Sequence, residues 1–148
     1  MTGWWVLAAA LVATAMVAFA ARAVNGRFRG TGGEGVPEAD EATARFDVTS
    51  LGATPGERAT LVQFSSAFCQ PCRATRTVLA QAADLVEGVA VVDVDAEAHL
   101  ELVRAWGVMR TPTVFVLDAD GRVRSRASGV PRRDQVLAAV AACLDSSH

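Results

Sequence analysis

The sequence predicts an α/β domain with a mixed central sheet and helices on both faces, preceded by one transmembrane helix. Short apolar runs typical of buried strands alternate with segments whose apolar residues recur at helical spacing, which predicts the domain. An uncharged, largely apolar stretch from Met1 to Ala21 predicts the helix ahead of it. We therefore place a membrane anchor at residues 1–24, a tether at 25–44 and the domain at 45–148.

The composition excludes several classes of function. A chain of 148 residues holds one ordinary domain plus an appendage. Its 14 basic residues are all arginine and stand against 16 acidic residues, for a formal net charge of -2. This balance gives no electrostatic reason to expect a nucleic-acid partner. Three cysteines are too few, and odd in number, for a disulfide-stapled secreted scaffold.

The N-terminal stretch is long enough to cross a bilayer. About 20 apolar residues span the hydrocarbon core as a helix, and residues 4–21 fit that length. Trp4 and Trp5 would anchor one end at the interface. The alternative is a cleaved signal peptide, since Ala18-Phe19-Ala20 has the small-x-small form of a cleavage site. Such peptides begin with a positively charged region, which is absent here, so we predict a retained anchor.

Basic residues flank only the C-terminal end of this segment, at Arg22, Arg27 and Arg29. Arginines next to a membrane span prefer the cytoplasmic side. We therefore predict a single-pass membrane protein whose N-terminus faces outward and whose domain lies in the cytoplasm.

The remaining elements follow in order. Residues 25–44 are glycine-rich and then acidic, which predicts a flexible, extended tether. Strands are predicted where short runs are rich in apolar and β-branched residues, and helices where apolar residues share one face. The predicted elements are an edge strand at Phe46–Val48, a strand at Ala59–Phe64, a helix at Arg73–Val86, a strand at Val89–Val94, a helix capped by Asp95 and ended by Gly107, a strand pair at Thr113–Leu117 and Arg122–Ser128, and a helix from Pro131 to Leu144.

The stretch Phe68-Cys69-Gln70-Pro71-Cys72 lies between a predicted strand and a predicted helix. Backbone N–H groups and the macrodipole at a helix N-terminus favour a thiolate, which makes Cys69 the candidate nucleophile. Cys72 is one helical turn further on, close enough to attack a mixed disulfide at Cys69, and is the candidate resolving thiol. The pattern predicts a site whose redox centre is the Cys69–Cys72 pair, with no other cofactor and no metal.

Several segments together resemble one known family. Besides the aromatic-Cys-x-x-Cys stretch, Val108-Met109-Arg110-Thr111-Pro112-Thr113 is similar to a Val-x-x-x-Pro-Thr segment whose proline is cis and faces the cysteines. Asp120-Gly121 and Gly129 are similar to a hairpin glycine and a later glycine near the site. On these motifs the region from about Phe46 to Leu144 resembles the thioredoxin family.

The resemblance implies a thioredoxin-like fold and thiol–disulfide oxidoreductase activity on protein disulfides. It implies that Cys69 attacks the substrate disulfide, that Cys72 resolves the mixed disulfide, and that an upstream reductase restores the dithiol. Substrate contacts are implied at Phe68, Gln70, Pro71, Thr111 and Pro112.

The sequence also departs from the family pattern. The buried aspartate that helps deprotonate the resolving cysteine is matched by Gln63, and a glutamine cannot act as a base at neutral pH. The nearby buried lysine of many members is matched by Val91, and Phe68 stands in place of the usual tryptophan. We therefore expect slower resolution and a shifted redox potential, while the reaction itself is retained.

Two other function classes compete with this interpretation. The cysteine pair could bind a soft metal such as Cu(I) or zinc, although zinc normally takes four ligands. The domain could instead be a non-catalytic interaction module, which the retention of both cysteines and Pro112 disfavours. We predict a membrane-tethered enzyme working in the reducing direction. In the reversed topology the same chemistry would serve an extracytoplasmic oxidase or maturation factor.

Overall fold

The structure is a computed structural model that describes residues 2–30 and 44–146. Its helices and strands are, in chain order, α1 Thr2–Val24, β1 Arg29–Gly30, a 3-10 helix Val48–Leu51, β2 Ala59–Ser65, α2 Gln70–Ala83, β3 Val89–Asp95, α3 Leu100–Ala105, β4 Thr113–Asp118, β5 Val123–Ser128 and α4 Arg133–Asp145. The strands form a five-stranded sheet in the order β1-β5-β4-β2-β3.

The sheet is mixed, as predicted. β2 runs parallel to β3 and antiparallel to β4, and β4 and β5 form an antiparallel hairpin. The register pairs Phe64 with Thr113 at one end of β2 and Ala59 with Asp118 at the other. The end of the sheet that holds Phe64 and Thr113 is called the active-site end below, and the opposite end, where β4 turns into β5, is called the hairpin end.

Alternation along the central strands fills a core on each face of the sheet, because successive side chains of a strand point to opposite faces. On the first face, Phe64 and Phe115 pack edge-on with their ring centroids 5.7 Å apart, and Trp106 packs against Phe115 at 5.9 Å. On the second face, α2 and α4 cover the sheet, with buried side chains at Leu61, Val114, Val116, Leu79, Val136, Val140 and Cys143. The predicted α/β architecture with helices on both faces is confirmed.

Four local predictions differ from the structure. The edge strand predicted at Phe46–Val48 is wrong: Asp47 accepts a hydrogen bond from Thr49 N–H at 2.9 Å and starts the 3-10 helix instead. The helix α2 begins earlier than predicted, because Cys69 is its N-cap, and it also ends earlier, at Ala83. His99, and not Asp95, occupies the N-cap position of α3, although its side chain makes no capping hydrogen bond; Asp95 instead accepts from Glu97 N–H in the preceding turn. The helix α4 begins two residues after Pro131.

The helix α1 has the length and composition to cross a membrane. Residues Gly3–Val24 have a mean hydropathy of 2.0, and none of that apolar stretch is buried against the domain. A signal sequence would pass the same test. The first residues of the predicted tether differ from the expectation, because β1 pairs with β5 through Arg29↔Arg126 and Gly30↔Ser125. Residues 31–43 of that tether, and residues 147–148 of the predicted domain, lie outside the described part of the chain.

Candidate active site

The two cysteines of the motif are joined at the start of α2. Cys69 and Cys72 form a disulfide with an S–S distance of 2.07 Å. Cys69 is the N-cap of α2 with an extended backbone conformation, and its Sγ accepts a hydrogen bond from Cys72 N–H at 3.1 Å. Pro71 lies in the first turn, where a missing N–H costs no helical hydrogen bond. The sulfur of Cys69 therefore lies at the positive end of the helix.

The two sulfurs differ in their access to solvent. Both cysteines line an open cleft, but Cys72 is only 1% exposed, whereas Cys69 is half-buried. A partner disulfide can reach the first sulfur and not the second. The geometry thus distinguishes an outer thiol from an inner one.

Beneath Cys72 lies the buried side chain of Gln63. Its Nε2 donates to the backbone oxygen of Cys72 at 2.9 Å, and its Oε1 has no hydrogen-bond partner among the described residues. An amide at this depth supplies a donor for the helix but no group that ionises. The inner thiol therefore has no carboxylate at this position.

Thr111 and Pro112, directly before β4, form one wall of the site, which is called the Thr111 wall below. The bond between Thr111 and Pro112 is cis, as predicted, and Pro112 is buried. Gly129 N–H donates to Pro112 O at 2.8 Å and holds the segment from the β5 side. The hydroxyls of Ser66 and Thr111 lie 3.3 Å apart and join this wall to the loop before Cys69.

A cleft of about 340 Å³ opens beside the cysteines, and its charged lining was not predicted from the sequence. Asp93, from β3, accepts a hydrogen bond from Ser65 Oγ at 2.6 Å and from Arg76 Nε at 2.9 Å. Arg73 lines the same cleft. The signal that could have located Asp93 is its position as a charged residue between two valines of the predicted strand Val89–Val94. In the sheet it pairs with Gln63 of β2.

The other residues predicted to contact substrate lie around the outer sulfur. Gln70 and Pro71 are exposed, and Phe68 is 98% exposed, so its ring packs against none of the described residues. Met109, which was not predicted as a site residue, is 92% exposed beside the Thr111 wall. Two large apolar side chains are thus available at this end of the domain to contact another molecule.

The third cysteine lies away from this site. Cys143 is buried under α4, in the core on the second face. Burial raises the pKa of the Cys143 thiol, the negative charge of Asp118 raises it further, and Arg124 opposes both. A thiol held neutral in this way is a poor nucleophile. Within the described residues no group of three or more His, Cys, Asp or Glu side chains is gathered as a metal-ligand set.

Comparison with known proteins gives a consistent result. The thioredoxin family model matches residues 42–142. Thioredoxin H2-1 of Oryza sativa subsp. japonica is 29% identical over 101 residues, which cover 68% of this chain and 72% of the relative. The thioredoxin of Mycoplasma genitalium is 27% identical over 77 residues, covering 52% of this chain and 74% of the relative.

Solved structures show the same fold. A thioredoxin variant from Halobacterium salinarum aligns with a TM-score of 0.55 at 23% identity, covering 60% of this chain and 76% of that chain. Thioredoxin f from spinach chloroplast aligns with a TM-score of 0.52 at 21% identity, covering 60% and 78%. The family match covers most of the chain, and the cysteine pair stands at the start of α2. The chain therefore belongs to the thioredoxin family and is a thiol–disulfide oxidoreductase.

Proposed function

We propose that this protein is a membrane-tethered reductase of protein disulfides, with Cys69 as the nucleophile and Cys72 as the resolving thiol. The observation that carries the proposal is the position of Cys69 Sγ at the N-terminus of α2, 3.1 Å from the Cys72 N–H. That N–H and the helix dipole stabilise a thiolate after reduction. The partial exposure of Cys69 and the burial of Cys72 support the same division of roles.

The reaction is a two-electron exchange. The Cys69 thiolate attacks one sulfur of the substrate disulfide, forms a mixed disulfide with it and displaces the other sulfur as a thiolate. Cys72 then loses its proton and attacks Cys69 Sγ, which releases the second substrate thiol. The substrate gains two electrons and two protons, and the enzyme is left with the Cys69–Cys72 disulfide. An upstream dithiol reductase must restore the dithiol.

The Thr111 wall and the exposed side chains around Cys69 form a surface on which a protein substrate can bind. Thr111 and Pro112 lie next to the loop that carries Cys69, where an extended substrate segment can bind. Phe68, Gln70 and Pro71 offer an exposed surface on the other side of the sulfur. These five residues form the proposed substrate contact.

The direction of the reaction follows from the compartment. Arg22, Arg27 and Arg29 follow the apolar part of α1, which supports a cytoplasmic domain. Cysteines in the cytoplasm are kept reduced as thiols, so a dithiol enzyme there acts as a reductant. A topology reporter fused to the C-terminus tests this step: cytoplasmic signal supports a reductase, and extracytoplasmic signal would make the enzyme an oxidase or maturation factor.

The roles of the two cysteines are tested by trapping. In the full-length Cys72→Ser variant, resolution stops and partners stay bound through Cys69 as mixed disulfides. We expect reductant-sensitive adducts on non-reducing gels, and no adducts in the Cys69→Ser variant. The Cys143→Ser variant is the matched control and should behave like the wild type. Equal adducts from the Cys69→Ser and Cys72→Ser variants would contradict the assignment.

A further inference from the structure

The C-terminal end of α1 is bound to the active-site end of the sheet. Gly26 N–H donates to the oxygen of Ser128, the last residue of β5, at 2.8 Å. Arg110 Nη2 donates to Asn25 Oδ1 and to Ser128 O, both at 3.0 Å. Arg110 directly precedes the Thr111 wall. The residues that follow the apolar helix are thus hydrogen-bonded to the substrate-binding segment.

Two glycines show how close this contact is. A Cβ on Gly26 would lie 2.0 Å from Val130 O, and a Cβ on Gly129 would lie 1.8 Å from Asn25 Oδ1. Both distances are far inside van der Waals contact, so no side chain fits at either position. Gly26 packs against the backbone of Val130, and Gly129 packs against the side chain of Asn25, so the chain that follows α1 lies directly on the domain.

The topology fixes which end of the domain is nearest to α1. β1 pairs antiparallel to β5 from Arg29↔Arg126 to Gly30↔Ser125, so the chain enters at the Ser128 end and runs toward the hairpin end. The loop after β2 carries Cys69 at this same end. In the sheet order, β1 and β2 are three strand steps apart, or about 14 Å at ~4.8 Å per step. The entry point of α1 and the reactive sulfur therefore share one end of the sheet.

There is no spacer between the apolar helix and this contact. The candidate membrane span Gly3–Val24 ends directly before Asn25, and Asn25 already contacts the domain. An α-helix rises 1.5 Å per residue, and no residue separates the span from the contact at Asn25. When α1 spans the bilayer, the active-site end therefore lies within a few ångströms of the bilayer surface. Phe68 and Met109, 98% and 92% exposed, lie at this same end of the domain.

We propose that the active-site end faces the bilayer, and that the preferred substrate is a disulfide in the juxtamembrane segment of an integral membrane protein. This proposal rests on the proposed function and keeps the same exchange chemistry. A disulfide held near the surface by its own membrane span meets Cys69 at a high effective concentration. A disulfide far from the surface must enter the narrow space between the domain and the bilayer.

The test compares two membrane-anchored reporters in nanodiscs that contain the full-length enzyme. Each reporter is a single-span peptide with one disulfide loop, placed either directly after the span or beyond a long Gly/Ser linker. We expect the near disulfide to be reduced about tenfold faster than the distant one, because of its higher effective concentration. The readout is the ratio of the two initial rates.

Two variants move the domain without touching the substrate contact. Gly26→Ala places a Cβ against Val130 O and should bring the ratio close to one. Gly52→Ala is the matched control, since Gly52 has the same φ of +74° but no atom within 4 Å of the added Cβ, and it should keep the ratio. A Gly/Ser spacer inserted between Val24 and Asn25 lifts the intact domain from the bilayer and should lower the ratio as well.

Reduction of soluble insulin separates this proposal from the proposed function. We expect the wild type and all three variants to reduce insulin at similar rates. A wild-type ratio near one, or a spacer variant that keeps the wild-type ratio, would overturn the membrane-facing proposal and leave the reductase standing. Failure of the wild type to reduce insulin would overturn the proposed function. If Gly26→Ala alone loses insulin reduction, it has misfolded, and the spacer variant decides.

Discussion

Gln63 and Asp118 are both buried on the α2 and α4 face, near opposite ends of two neighbouring strands, and they differ in how completely they are hydrogen-bonded. Asp118, at the hairpin end, accepts from Asp120 N–H and Arg122 N–H at 2.9 Å and from Arg124 Nε at 2.8 Å. Gln63, toward the active-site end, makes one bond to Cys72 O and leaves Oε1 without a partner among the described residues.

This difference in hydrogen bonding separates the hairpin end, which acts as scaffold, from the active-site end. A buried acceptor without a hydrogen bond costs about 1–3 kcal/mol, so the active-site end is less stabilised than its burial would allow. At the hairpin end both carboxylate oxygens of Asp118 accept hydrogen bonds, and this one side chain fixes the turn from β4 to β5. The hairpin end supports the fold, whereas the active-site end keeps the inner thiol in an incompletely bonded environment.

The largest expected effect comes from replacing both residues by the same apolar side chain. Asp118→Leu removes three hydrogen bonds and leaves Arg124 without its carboxylate, so we expect the free energy of unfolding to fall by about 3 kcal/mol. Gln63→Leu removes one hydrogen bond but also the oxygen that lacks a partner. Its change should stay within about 1 kcal/mol. Urea unfolding of the full-length variants in detergent, followed by circular dichroism, measures both. Equal losses would contradict the comparison.

The pH dependence gives an independent check at the hairpin end. Burial alone would raise the pKa of Asp118, but the hydrogen bonds from Arg122 and Asp120 and the bond and charge of Arg124 lower it below its ordinary value of 3.8. A lowered pKa in the folded state means that the carboxylate stabilises the protein above pH 3.8 and loses this contribution as the pH falls below it. Asp118→Asn should flatten this part of the stability curve.

Several parts of this picture could be predicted from sequence because they depend on local patterns. The strand before Cys69 and the helix after it follow from an apolar run and helical spacing, and the β4–β5 turn follows from Asp120-Gly121. The short strand expected at Phe46–Val48 failed, because Asp47 satisfies Thr49 N–H and starts a 3-10 helix. Local capping outweighed the alternation of apolar residues there.

The contacts that complete the site could not be predicted, because they join residues far apart in the chain. Ser66 meets Thr111 across 45 positions, and Arg110 meets Asn25 across 85. Neither pair lies in a periodic pattern, and only the assembled fold brings the partners together. The departure at Gln63 was visible in the sequence, but its hydrogen bond to Cys72 O was not.

The second expected effect is a gain of rate at the active-site end. Gln63→Asp places a carboxyl group beneath Cys72, where as a base it can take the proton of the resolving thiol. We expect release of the mixed disulfide to become about tenfold faster, equal to about 1.4 kcal/mol of activation free energy. Burial raises the pKa of such a carboxyl group, so the gain should grow as the pH rises through that pKa.

The matched control is Gln63→Asn, which has the same length as the aspartate variant and does not ionise. Single-turnover stopped-flow measurements between pH 6 and pH 9, on an enzyme preloaded as a mixed disulfide, compare the two variants. If Gln63→Asp and Gln63→Asn release substrate at the same rate and with the same pH profile, proton removal from Cys72 does not limit resolution.

The smallest expected effect concerns the ion pair at each end of the sheet. Arg76 and Asp93, beside the cysteines, have side chains 52% and 32% exposed, whereas Asp118 of the hairpin-end pair with Arg124 is only 3% exposed. Water and salt screen the exposed pair, so Arg76→Ala should change the free energy of unfolding by less than about 1 kcal/mol, and less still in high salt. Arg132→Ala, which breaks the exposed pair with Asp134 on α4, is the control. A loss near that of Asp118→Leu would mean that charges hold the active-site end as firmly as the hairpin end, and the contrast between scaffold and site would not stand.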